Sequence, residues 1–113
     1  RLVRKVCRDC AIEEEPTAHV REAAAEAGAQ VDRVYRGRGC SNCSQTGYKG
    51  RTGIYEILIP SDELRDAIAS RETLGVLRRF AREGGMRSLF EYGMDRVRRG
   101  ETTLDEVLRV TCA

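Results

Sequence analysis

The chain opens with a short, partly β-branched run, Leu2-Val3-Arg4-Lys5-Val6, which reads as a strand leading straight into Cys7. After Cys10 the run Glu13-Glu14-Glu15-Pro16 predicts a helix start, with acids near the positive end of the dipole and proline in the first turn. The alanine-rich stretch from Thr17 to Ala27 continues that helix, and Gly28 stops it. From Arg51 to Ile59 the pattern predicts a second strand. Tyr55, Ile57 and Ile59 fall on one face, Ile54, Glu56 and Leu58 on the other, and Pro60 ends it. Glu56 then needs a basic or hydrogen-bonding partner if its face is covered.

Beyond Pro60 the apolar period becomes helical. Ser61-Asp62 caps a helix whose Leu64, Ala67 and Ile68 share a face. Leu74, Leu77 and Phe80 or Ala81 repeat the pattern until Gly84-Gly85 breaks it. Leu89, Phe90, Met94 and Val97 form a third stripe, ended by Gly100. Thr103 with Glu106 reads as a capping box opening a last helix that buries Leu104, Val107 and Leu108. The Met and aromatic positions are core, and Cys112 is a small apolar residue near the end. Two strands, a helical insert and these four helices predict an α+β chain. A strand starting at residue 1 with no turn or cap before it predicts a piece of a larger protein.

Candidate chemistry lies in two Cys-x-x-Cys pairs, Cys7/Cys10 and Cys40/Cys43, on either side of the insert. Each such turn aims two sulfurs at one point, and two turns supply the four thiolates that tetrahedral zinc prefers. His19 is the single histidine, so the cysteines form the set alone. With every ligand supplied by the protein, no position is open for substrate and the ion is structural. Gly37, Gly39, Gly47 and Gly50 flank the second pair, where amides that bond to sulfur need backbone angles closed to other residues. Five cysteines leave one over from any disulfide scheme, and a redox Cys-x-x-Cys needs a thioredoxin-like βαβ setting that is missing. An iron–sulfur centre is the remaining metal alternative.

At 113 residues the chain has room for one modest core or two small units. Twenty Lys and Arg against eighteen Asp and Glu, with 5% aromatics, argue against a nucleic-acid binder. Four thiolates and a divalent ion leave −2 on the cluster, which takes the formal +2 of the chain to about zero. Arg4, Lys5, Arg8, Arg38, Lys49 and Arg51 crowd the cysteines and either screen that charge or are solvated surface residues. No apolar run approaches a membrane span. Reduced, metal-bound cysteines point to a cytosolic compartment. There is no G-x-x-x-x-G-K-[ST] loop, no Ser/His/Asp set and no acidic cluster with catalytic spacing, so no catalytic or cofactor-binding residue is assigned.

Arg1 to Cys10, and Gly39 to Glu56, resemble the tetracysteine region of the bacterial secretion ATPases that power type II secretion and type IV pilus assembly. Gly85-Met-Arg-Ser-Leu89 and the run from Gly100 to Thr111 are similar to the same family, so the resemblance covers essentially the whole chain. It implies a parent that is a cytoplasmic homo-hexameric ATPase, peripheral at the inner membrane on platform proteins, using ATP and Mg²⁺ to extend a pseudopilus or pilus. It places the phosphate loop, the Mg²⁺-binding acids and the catalytic glutamate upstream, outside this chain. Cys7, Cys10, Cys40 and Cys43 map onto the family's metal ligands, and Leu2–Val6 and Gly53–Ile59 onto the strands flanking the insert. The implied division is 1–59, strand–tetracysteine insert–strand, and 60–113, a C-terminal helical subdomain. Glu106-Val-Leu-Arg-Val-Thr111 is similar to the type II branch, with the pilus branch as the alternative.

On this resemblance the insert is a loop-rich finger, rigid through its metal alone, that protrudes to contact a partner. Two other classes compete. A chaperone-type zinc module carries Cys-x-x-Cys-x-Gly-x-Gly repeats, but here Gln45 stands at the first glycine and there are two pairs instead of four. A zinc-ribbon nucleic-acid binder would want a basic face and exposed aromatics.

Overall fold

β1 (Leu2–Val6) pairs antiparallel with β4 (Tyr48–Gly53) in the computed structural model, which describes residues 1–111. Leu2 faces Gly53 and Arg4 faces Arg51, whereas Val6 faces Tyr48, so a bulge puts one extra residue on β4. A second antiparallel pair joins β2 (Ala11–Glu14) to β3 (Val34–Gly37), with Ile12 opposite Arg36 and Glu14 opposite Val34. Among the described residues five α-helices complete an α+β chain: α1 (Ala18–Glu26), α2 (Asp62–Ala69), α3 (Leu74–Glu83), α4 (Leu89–Arg98) and α5 (Leu104–Thr111). Cys112 lies outside the described residues.

Three expectations change. The second flanking strand is Tyr48–Gly53, not Arg51–Ile59 or Gly53–Ile59. Leu2 pairs with Gly53, and the Ile54 amide donates to the Arg1 carbonyl at 3.0 Å, so the pairing reaches the first residues of β1. The two-faced alternation predicted for residues 54–59 is not realised: Ile54 is buried, while Tyr55, Ile57, Leu58 and Ile59 are exposed.

Secondly, Glu13 and Glu14 belong to a strand, and Pro16 precedes the N-cap. Arginines of the facing segment supply the counter-charges: Arg36 meets Glu14 at 2.8 Å, and Arg33 meets Glu15 at 2.9 Å and Glu13 at 3.3 Å. These pairs are exposed and hold register more than they add stability. Helix α1 starts where Thr17 Oγ1 accepts from the Val20 amide at 3.3 Å and stops at Gly28, whose φ of +67° suits glycine.

Thirdly, the insert is not held by a metal site alone. Ala23 and Ala24 of α1 and Val31 share a buried cluster with Met94 and Val97 of α4 and Leu104 and Val107 of α5. Methyl and small side chains at helical spacing let α1 lie close on that pair. A smaller cluster of Val3, Ile54 and Val110 joins β1 to α5.

The chain forms two compact units, one of residues 1–55 with the segment from Leu89 onward, the other of residues 56–88. Packing thus groups α4 and α5 with the strands. The second unit is a helical hairpin of α2 and α3, capped by Ser61 Oγ on the Leu64 amide and Thr73 Oγ1 on the Val76 amide. Leu64 and Ala67 are its buried residues.

Candidate metal centre

The first Cys-x-x-Cys turn is the exit from β1. The Cys7 amide donates to the Gly47 carbonyl at 2.9 Å, and the Arg38 amide donates to the Cys10 carbonyl at 3.1 Å, so each end is tied to the other loop. The second turn folds as a 3₁₀ turn over Ser41–Cys43 followed by Ser44 and Gln45, both at positive φ. Gln45 donates its amide to the Cys40 carbonyl at 2.8 Å, and Thr46 Oγ1 donates to the Cys43 carbonyl at 2.7 Å. Two of the flanking glycines have a steric reason as well. Gly37 and Gly47 cross backbone on backbone, and a Cβ on Gly37 would overlap the Gly47 carbonyl.

All four cysteines converge as free thiols. Cys7 and Cys40 sulfurs are 3.8 Å apart, Cys10 and Cys43 3.8 Å, and Cys40 and Cys43 3.6 Å. The four ligand atoms lie within 4.8 Å of one another. A tetrahedral ion with metal–sulfur bonds of about 2.3 Å sets its sulfurs about 3.8 Å apart, so the donor set fits such an ion. Backbone amides of Gly39, Cys40 and Gly47 point at sulfur, on Cys10, Cys43 and Cys43 respectively, each at 3.3 Å. These are the contacts that stabilise thiolate charge. His19 sits exposed on α1, away from the sulfur set.

Electrostatics say why the cluster calls for a cation. Burial pushes the Cys10 thiol up to about 11, against the Gly39 amide and together with its sulfur neighbours. At Cys43 burial also pushes upward, but the Cys40 and Gly47 amides and the Cys40 and Cys10 sulfurs outweigh it and bring the thiol down to about 6. Cys43 is therefore held towards its thiolate and Cys10 towards its thiol. A divalent ion among four thiolates offsets their mutual repulsion.

Behind the cluster, a network absent from the sequence reading fixes β1. Glu106 is 2% exposed and takes the Arg4 amide and guanidinium at 2.8 Å each and Arg109 Nη2 at 2.8 Å. Burial raises its carboxyl, but the Arg109 and Arg4 hydrogen bonds overcome this and hold it down to about 2. Thr103 Oγ1 does accept from the Glu106 amide at 3.4 Å, yet the Glu106 carboxylate turns to the two arginines. It is an ion-pair hub where a capping box was expected. Thr102 Oγ1 donates to the Arg4 carbonyl at 2.7 Å, the Val6 amide to the Glu101 carbonyl at 2.9 Å, and Arg4 stacks 4.3 Å from the Tyr48 ring centroid. The edge of β1 away from β4 is thereby satisfied by the α4–α5 turn. The signal available beforehand was Glu106 three residues from Arg109, the spacing of neighbours on a helix.

Residues 1–109 match the sequence model of a family described as type II/IV secretion system protein. The chain is similar to the type IV pilus assembly ATPase PilB of Thermus thermophilus, with 42% identity over 98% of the chain and 13% of that protein. It is 40% identical to the type II secretion system protein HxcR of Pseudomonas aeruginosa over 98% of the chain and 20% of that protein. Against the type II secretion system ATPase E of Vibrio cholerae the identity is 37%, over 98% and 22%. The chain thus spans between 13% and 22% of the length of these relatives.

Proposed function

This chain belongs to the type II/IV secretion system protein family, and from that premise we propose that it is the C-terminal part of a secretion-motor ATPase, carrying a structural zinc on Cys7, Cys10, Cys40 and Cys43. The observation that carries the reading is the convergence of four thiols inside a match that runs through residues 1–109. Zinc is preferred because four thiolates in a closed tetrahedral set are its usual structural environment. The bound ion supplies cohesion and no chemistry: structural zinc contributes about 10–16 kcal/mol in small peptides, against about 5–15 kcal/mol for a whole domain.

The rest follows from the chain's own residues. Cys7 and Cys10 leave β1, Cys40 and Cys43 lead towards β4, and Glu106 clamps β1 to α5. A load placed on the tetracysteine loops therefore passes into the strand pair and the α4–α5 turn, as a partner-contact module on a motor requires. Nucleotide and Mg²⁺ belong to the parent outside this chain, which we take to be a cytoplasmic hexamer, peripheral at the inner membrane on platform proteins. Type II secretion is the reading proposed, and the 42% identity to a pilus assembly ATPase keeps pilus assembly as its alternative.

The test is Cys40→Ser in the full-length protein. Metal content should fall from one ion per chain and secretion should stop, with nucleotide affinity little changed. Undiminished secretion in a metal-free variant would overturn the reading.

A further inference from the structure

The arginines and lysines of the first unit divide into two sets. Arg4, Arg21, Arg33, Arg36, Arg96, Arg98, Arg99 and Arg109 each lie against a carboxylate. Among the described residues, no ion pair involves Arg1, Lys5, Arg8, Arg38, Lys49 or Arg51, and of these Lys5 and Arg8 flank Cys7. Both line one cleft of about 260 Å³ with Tyr35, Arg99, Gly100 and Glu101. Arg99 is bound to Asp95 at 3.0 Å and Glu101 to Arg96 at 2.9 Å, so those charges are already matched. The uncompensated charge facing the cleft is that of Lys5 and Arg8. Its wall is also fixed: a Cβ on Gly100 would come 2.7 Å from the Tyr35 ring, so turn and ring are already in close contact.

We propose that this cleft is a docking site for an acidic side chain, Asp or Glu, of a protein partner. The lining is mixed, with Tyr35, Val6 and Ala11 to cover a methylene stem and two free cations for one carboxylate. A nucleic-acid strand would find a single aromatic ring to stack on. That the occupant is a protein rests on the partner-contact reading above. The cleft would set which partner segment docks beside the metal loops, and in what register.

The test titrates a fluorescein-labelled glutamate-rich peptide with metal-loaded full-length protein and reads anisotropy at low salt. Saturable binding is expected, and the glutamine counterpart should not bind. Lys5→Glu with Arg8→Glu should weaken it at least about tenfold, while Lys49→Glu with Arg51→Glu, an equal change of charge, should leave it within about twofold. Equal losses in the two double variants would overturn the site, and so would tighter binding of nucleic acid or anionic vesicles through Lys5 and Arg8. If charge reversal disturbs the fold, Lys5→Gln with Arg8→Gln repeats the test. Peptide binding lost with one metal ion per chain retained upholds the cleft apart from the metal reading, and peptide binding kept overturns it.

Discussion

The two compact units are held together by different means. In the first, hydrogen bonds join residues about a hundred apart: Arg4 to Glu106, Thr102 to Arg4, Arg109 to Leu2. The sulfurs close loops of 33 residues. In the hairpin of residues 56–88 the described bonds are caps and turns between near neighbours, and α3 buries no residue. Ile57, Leu58, Ile59, Ile68 and Leu74 remain 46–76% exposed there. Long-range links make unfolding all-or-none, because each is lost with the others. A hairpin with two buried residues and mostly short-range described bonds frays by degrees.

Removing the metal should break this contrast most completely. With the proposed zinc contributing about 10–16 kcal/mol, a chelated chain should lose amide protection across β1 and β4 while α2 and α3 change little. Hydrogen exchange with and without chelator measures both units at once, and equal losses would erase the distinction.

Next in size is Glu106→Gln, which leaves two arginines without a carboxylate and should cost on the order of 3 kcal/mol in urea unfolding of metal-loaded protein. The same residue sets a pH dependence. A carboxyl held at about 2, against 4.5 ordinarily, adds stability above the unfolded value and loses it as pH falls through the folded one. The gap between wild type and Glu106→Gln should therefore be full above pH about 5 and shrink towards pH about 2. Thiolate protonation, common to both proteins, cancels in that difference.

A smaller pair of substitutions sharpens the comparison with one methyl group. Gly93→Ala places a Cβ 2.6 Å from Val107 Cγ1 between α4 and α5, and should destabilise the first unit by about 1–3 kcal/mol. Gly75→Ala meets nothing within 4 Å in α3, so it should slow amide exchange of α3 by stabilising that helix about 0.5–1 kcal/mol.

The α+β class, the cysteine set and most helix ends could be read from the residues. Ser61 caps α2 as its side chain dictates and Gly28 stops α1 at positive φ, while Thr17 and Thr73 cap α1 and α3 without having been assigned. These are local events, decided within a turn of chain. The strand pairing was not legible, because which residue faces which, Leu2 on Gly53 and Val6 on Tyr48, is a matter of register. Glu13 and Glu14 misled for a similar reason: whether acids open a helix or sit in a strand depends on Arg33 and Arg36, some twenty residues on. The spacing of Cys7, Cys10, Cys40 and Cys43 was enough to name four sulfurs that converge, since a Cys-x-x-Cys turn brings its own two together. What closes the set, the 33-residue approach of one turn to the other, is made by backbone bonds such as Cys7 to Gly47. Likewise only the tertiary structure turned Glu106 from a helix cap into the clamp on β1 and set Lys5 and Arg8 beside Tyr35 with no ion pair among the described residues. Side-chain chemistry is written residue by residue, whereas a charge is paired or left over according to what the folded chain brings within about 4 Å of it.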